Sequence, residues 1–150
     1  MSDTDPLHSI EILLVEDNPG DARLTVAALE EEKLYSKLHV VTDGAAALAF
    51  IRKEGEYAGR ARPDLILLDL NLPKKDGLEV LKEIKCDGEL KRIPVVVLTL
   101  SEAESDILKA YDLHANCYIT KPVGLAQFTH VARSLQEFWL TTVRLPPNPA

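Results

Sequence analysis

Asp64-Leu65-Ile66-Leu67-Leu68-Asp69-Leu70-Asn71-Leu72-Pro73 is a short apolar run closed by a carboxylate and a turn. Pro63 precedes it and Pro73 ends it, and an unbroken apolar stretch of this length suits a parallel strand covered on both faces. A carboxylate has no packing reason to finish such a strand, because an unpaired buried charge is costly. Asp69 can remain ionised there only beside cationic partners, a metal ion or water. The chemistry of the chain is therefore expected at Asp69.

The flanking chain alternates strand and helix patterns. On the amino side, Ile10–Val15 is an apolar run ending in Glu16-Asp17. Asn18-Pro19 then supplies a cap and a first-turn proline for a helix bearing Ala22, Val26 and Leu29. Leu38–Thr42 reads as a second strand, and Asp43-Gly44 opens a helix carrying Ala47, Leu48 and Ile51. Residues 54–62 are a polar connection. After Asp69, Gly77 leads into a helix with Leu78, Leu81 and Ile84 that closes at Asp87-Gly88. Ile93-Pro94 introduces a β-branched strand, Val95–Leu98, ending in Thr99. Ser101 and Glu104 have the spacing of a capping box for a fourth helix through Ile107, Ala110 and Tyr111. Asn116–Thr120 is a fifth strand ending in Lys121-Pro122, and the last helix places Leu125, Phe128, Val131, Ala132, Leu135, Phe138 and Trp139 on one stripe. Five strands alternating with five helices specify an α/β fold, a parallel sheet with right-handed crossovers and helices on both faces.

Composition narrows the function. The chain has 150 residues, 46% apolar and 27% charged, the balance of one globular domain. A net charge of −7 argues against a phosphate-tracking nucleic-acid binder. No apolar stretch approaches the ~20 residues of a membrane span, and the first residues lack the pattern of a signal peptide. Cys86 and Cys117 have neither metal-ligand nor disulfide spacing, so both read as small packing residues of a reduced, cytoplasmic protein. His8, His39, His114 and His130 likewise show no ligand spacing and read as structural or exposed.

Open parallel sheets bind ligands beyond the carboxyl ends of their strands. Glu16 and Asp17, Asp69, Thr99 and Lys121 all fall at that end, bringing three acids, a hydroxyl and an ammonium to one rim. Crowded carboxylates repel unless a cation intervenes, and an open oxygen-rich site suits Mg²⁺ with several waters retained. A carboxylate beside Mg²⁺ can attack a phosphoryl group to form an acyl phosphate. Lys121 and Thr99 would neutralise and bind the phosphoryl oxygens. With no dedicated general base in the set, that acyl phosphate should persist, as a signal rather than a turnover.

Leu14-Val15-Glu16-Asp17-Asn18, Leu67–Gly77, Val97-Leu98-Thr99 and Tyr118-Ile119-Thr120-Lys121-Pro122 together resemble the receiver domain of two-component response regulators, over roughly residues 9–139. The resemblance implies a flavodoxin-like sheet in the order 2-1-3-4-5, an order for which a member of this family is a standard example. It implies that Asp69 receives phosphate from a kinase phosphohistidine. It also implies that Asp17, Asp69 and the Asn71 carbonyl ligate Mg²⁺, with Glu16 acting through water, and that the Lys121–Pro122 bond is cis. Thr99 and Tyr118 would form the switch, the hydroxyl moving to the phosphoryl oxygens and the aromatic ring turning inward. One position departs from the pattern: Leu100 stands where a small residue is usual, and is expected to restrict access to the phosphorylated site.

The carboxyl-terminal stretch continues apolar through Phe138, Trp139 and Leu140, then alternates through Val143 and Leu145 before Pro146-Pro147-Asn148-Pro149. Residues 1–8 form a tail and 140–150 an extension, which either folds back on its domain or serves as an arm in a homodimer. The ending, with Asp69–Gly77, is similar to the stand-alone regulators paired with phytochrome histidine kinases. That resemblance implies a light-sensing kinase and possible downstream phosphotransfer protein as partners, with neither nucleic acid nor membrane. Few residues follow the last helix, so no effector domain is expected. Two rivals share parts of the pattern. An aspartate-nucleophile phosphatase needs a second acid two positions on, where this chain has Asn71. A flavin module needs a phosphate-cradling loop after the first strand, where Glu16-Asp17 would repel phosphate.

Overall fold

The computed structural model describes residues 10–30, 36–121, 125–135, 137–139 and 143–147. Its strands are β1 (Ile10–Val15), β2 (Ser36–Val41), β3 (Leu65–Leu68), β4 (Val95–Thr99) and β5 (Cys117–Thr120). Its helices are α1 (Pro19–Glu30), α2 (Gly44–Ile51), α3 (Gly77–Cys86), α4 (Glu104–Asp112) and α5 (Leu125–Leu135). All strand pairs are parallel and the order is β2-β1-β3-β4-β5, as the resemblance implied.

Alternation along the central strands divides the apolar side chains between two cores, because successive residues of a strand face opposite sides. Leu13, Val15, Ile66, Leu68, Val95 and Val97 pack with Leu48, Ile51, Val80, Leu81, Ile84 and Ala110 of α2, α3 and α4. Ile12, Leu14, Leu65, Leu67 and Val96 pack with Ala28, Leu29, Ala132 and Leu135 of α1 and α5. β3 and β4 are buried at every position, which is why their sequences are continuously apolar. Among the described residues no helix is long and apolar enough to cross a membrane.

The two aspartates bounding the β3 run behave differently. Asp64 closes the amino end: its carboxylate accepts from the Glu11 amide (2.9 Å) and its amide donates to the Glu11 carbonyl (2.7 Å). Asp69 is left at the opposite, open end. Helix starts largely follow the sequence. The Asn18 side chain accepts from the Asp21 amide (3.0 Å) and the Asp43 side chain from the Ala46 amide (2.7 Å).

Several expectations need correction. The capping box at Ser101 and Glu104 does not form, because α4 begins at Glu104 itself with Ala103 as its cap residue. Ser101 instead donates to the Asp106 carboxylate at 2.6 Å. Tyr111 is 48% exposed, one position round the helix from the buried Ala110. Asn116 stands just before β5 rather than in it, its side-chain oxygen accepting from the Val95 amide (2.9 Å) and the Lys85 ammonium (3.1 Å). Cys86 is exposed, not a packing residue, whereas Cys117 is half-buried. The apolar stripe of α5 also breaks: residues 137–139 follow a wider π-type turn, which shifts the phase of the side chains. Phe138 is left 53% exposed while Trp139 packs on the α1–α5 core.

Candidate functional site

Register brings the expected groups to one rim. Val15 pairs with Leu68, and the Asp69 amide donates to the Val15 carbonyl (3.1 Å), so Glu16-Asp17 and Asp69 leave adjacent strands side by side. Thr99 pairs with Thr120, and the Lys121 amide donates to the Thr99 carbonyl (2.7 Å). Glu16, Asp69, Thr99 and Lys121 are buried, whereas Asp17 and Asn71 are exposed. Beneath them, the loop after Asp69 is pressed on the start of α3, where the Gly77 amide donates to the Leu70 carbonyl at 2.9 Å. A Cβ on Gly77 would overlap the Asp69 carbonyl oxygen and stand 2.5 Å from the Leu70 Cα. Only glycine permits that approach.

Both oxygens of Asp69 are engaged. Oδ1 accepts from the Thr99 hydroxyl (2.8 Å) and the Asn71 amide (3.2 Å), and Oδ2 accepts from the Lys121 ammonium (3.0 Å). Lys121 also donates to Glu16 Oε1 and to Asp21 Oδ2, the latter at 3.0 Å. The Asn18 amide donates to the other oxygen of Glu16 (3.2 Å). Burial works against the Lys121 charge, but the bonds to Glu16, Asp69 and Asp21 outweigh it and hold the ammonium above its ordinary pKa. Burial, reinforced by the Asp69 charge and opposed by Lys121, pushes the Glu16 carboxyl up to about 7.

The two residues expected to form the switch, Thr99 and Tyr118, flank the loop after β4. Thr99 already touches Asp69, and the Tyr118 hydroxyl donates to the Ser101 carbonyl at 2.9 Å. Tyr118 is half-buried against the α2–α4 core. Leu100, between the two, is 63% exposed. It lines the mouth of an open cleft of about 400 Å³ shared with Glu16, Asp17, Asp69, Asn71 and Lys121.

Sequence reasoning missed Asp21. It stands four residues after Asp17, in the first turn of the helix that Asn18 caps, and that spacing was the available signal. Of the extension, Val143 and Leu145 are half-buried. The Val143 amide donates to the Phe138 carbonyl (2.8 Å). Pro146 and Pro147 line a recess with Arg62, Pro63, Ile93 and Pro94, at the amino end of the sheet. Leu140 and the Lys121–Pro122 bond lie outside the described residues.

Glu16, Asp17 and Asp69 each offer an oxygen, and these atoms lie within 4.8 Å of one another. The donors are hard, and the acids outnumber the one ammonium, so the set fits a divalent cation of the Mg²⁺ type.

Comparison with known proteins agrees. The model of the response regulator receiver domain matches residues 12–133. Response regulator Rcp1 from a Synechocystis strain is 52% identical over 135 residues, spanning 90% of this chain and 92% of that protein. The phosphorylated cyanobacterial phytochrome response regulator RcpA has a TM-score of 0.90 and 55% identity, covering 93% of this chain and 99% of that one. The Mn²⁺-bound form of Rcp1 has a TM-score of 0.89 and 51% identity, covering 92% and 99%. Receivers bind Mg²⁺ at the acidic site that Glu16, Asp17 and Asp69 form here. The chain belongs to the response regulator receiver domain family and is a phosphorelay receiver.

Proposed function

We propose that Asp69 accepts a phosphoryl group from the phosphohistidine of a phytochrome-type sensor histidine kinase. The observation that carries this reading is the buried Asp69 carboxylate, held by Thr99 and Lys121 at the mouth of an acidic cleft. The light-sensing partner rests on the similar proteins named for phytochrome and bacteriophytochrome signalling.

In the proposed step one Asp69 oxygen attacks phosphorus, the phosphorus–nitrogen bond breaks, and the imidazole nitrogen keeps the electron pair and takes a proton. Bound at Asp17, Asp69 and the Asn71 carbonyl, with Glu16 acting through water, Mg²⁺ would neutralise charge on the phosphoryl oxygens. Lys121 meets a second oxygen and Thr99 a third, the positioning and neutralisation that phosphoryl transfer needs. Among the described residues the site offers no dedicated general base beside Asp69, so the product is expected to persist, the chain working by state rather than by turnover. Thr99 and Tyr118 pass that state to the β4–α4 loop. The receiver unit is set at 9–139, with 1–8 as a tail, 140–150 as an extension, and the cytoplasm as its compartment. A downstream phosphotransfer protein is the outlet.

Phosphotransfer profiling against autophosphorylated histidine kinases, with Asp69→Asn as control, tests the reading. Rapid Asp69-dependent transfer from a light-sensing kinase is expected. Transfer only from another kinase would discard the phytochrome pairing, and none from any kinase or from acetyl phosphate with Mg²⁺ would discard the phosphoacceptor.

Leu100 at the cleft mouth should slow hydrolysis by limiting the approach of water. Leu100→Ala is expected to raise autodephosphorylation by about fivefold, the factor for a barrier lowered by about 1 kcal/mol; an unchanged rate of phosphate release overturns this role.

The reading includes a homodimer built through Phe138, Trp139, Leu140, Val143 and Leu145. Its support is the exposure of Phe138, although Trp139 packs on its own domain. Removing residues 140–150 should shift the mass in sedimentation from two chains to one, and a dimer that survives the truncation excludes the extension.

A further inference from the structure

The Lys121 ammonium has three N–H donors, and three carboxylates take them: Glu16, Asp69 and Asp21. If Asp69 is the phosphoacceptor, as proposed above, a phosphoryl oxygen can reach this ammonium only when one of the three lets go. Glu16 is the least accessible of the three, its side chain 2% exposed, so parting from the lysine would leave its carboxylate the least solvated. Asp69 is the reacting group. The Asp21 side chain is 27% exposed, the most accessible of the three, so water can solvate its carboxylate on release. No other bond to the Asp21 carboxylate is needed to hold α1, since its amide is bound by Asn18 and its carbonyl accepts from the Thr25 hydroxyl (2.8 Å).

We infer that Asp21 is a positioning residue that holds Lys121 in reserve and yields it to the incoming phosphoryl group. It supplies the third bond while the site is unphosphorylated, and its negative charge then opposes arrival of a dianion a few ångströms away. Both effects slow phosphorylation. The residue thereby sets how readily the receiver is charged.

The test is the initial rate of phosphorylation by acetyl phosphate at saturating Mg²⁺, in the unaltered chain, Asp21→Asn, Asp21→Glu and Asp69→Asn. Removing one like charge from so close a site should raise the Asp21→Asn rate about fivefold or more, with Asp21→Glu near the unaltered value and Asp69→Asn inert. The ¹⁵Nζ resonance of Lys121 should shift in Asp21→Asn and return in Asp21→Glu, a readout that a merely helix-stabilising acid would not move. Phosphorylation of the unaltered chain with no rate change in Asp21→Asn overturns this role alone. No phosphorylation of the unaltered chain overturns the phosphoacceptor reading and this inference with it. An Asp21→Asn rate below the unaltered one also overturns it, showing that Asp21 aids the transfer.

Discussion

Lys121→Met is expected to lower unfolding free energy by about 3–5 kcal/mol in metal-free buffer, the range for breaking a buried ion pair from one side. The lysine side chain is 3% exposed, and it is the cation that neutralises Glu16 and Asp69, themselves 2% and 8% exposed. Methionine keeps the volume and removes the charge, leaving two buried carboxylates facing each other. Added Mg²⁺ should recover more stability in the variant than in the unaltered chain, because it supplies the missing charge; at a hundredfold excess over its Kd a ligand adds about 2.7 kcal/mol. Phosphorylation should not recover if Lys121 meets a phosphoryl oxygen as proposed, and a loss of roughly 10²–10³ in rate is expected for one such donor. Urea denaturation with and without Mg²⁺, followed by labelling with acetyl phosphate, reads both effects. An unfolding midpoint equal to that of the unaltered chain in metal-free buffer would sink the electrostatic account.

Gly77→Ala should be nearly as damaging through sterics alone. Its Cβ would collide with the carbonyl of Asp69 and the backbone of Leu70, which cannot swing away as a side-chain tip could. The cost is expected at about 3 kcal/mol, the upper end for overpacking. Because the strained segment carries Asp69, the phosphorylation rate should also fall. Gly88→Ala is the matched control: a Cβ there meets nothing within 4 Å, and its effect on the denaturation midpoint should be within about 0.5 kcal/mol. Equal effects of the two substitutions would refute the close approach under Asp69.

The convergence of Glu16, Asp17, Asp69, Thr99 and Lys121 on one rim was legible because each ends an apolar run or follows it within two residues. Parallel strands all point the same way, so residues at their carboxyl ends must share a rim once the runs pair. Helices on both faces were likewise implicit in the continuous apolar runs and in the alternation of strand and helix patterns. These features depend on spacing within ten residues or so, which a linear sequence displays directly.

Other contacts depend on the tertiary structure. The Asp21–Lys121 contact joins residues 100 apart: local spacing sets Asp21 one turn on from Asp17, but only the docking of α1 brings it to the lysine. Ser101 has the spacing of a cap, yet it bonds Asp106 because the helix starts at Glu104, later than the pattern suggests. The fate of the extension was open in the sequence, since an apolar stripe marks what must be covered and not what covers it. The wider turn at 137–139 sends Trp139 inward and Phe138 outward, and Pro146-Pro147 returns to the amino end of the sheet. Strand ends and apolar periods are local properties of the chain; which charged or apolar partner completes each of them depends on distances set only when the helices dock.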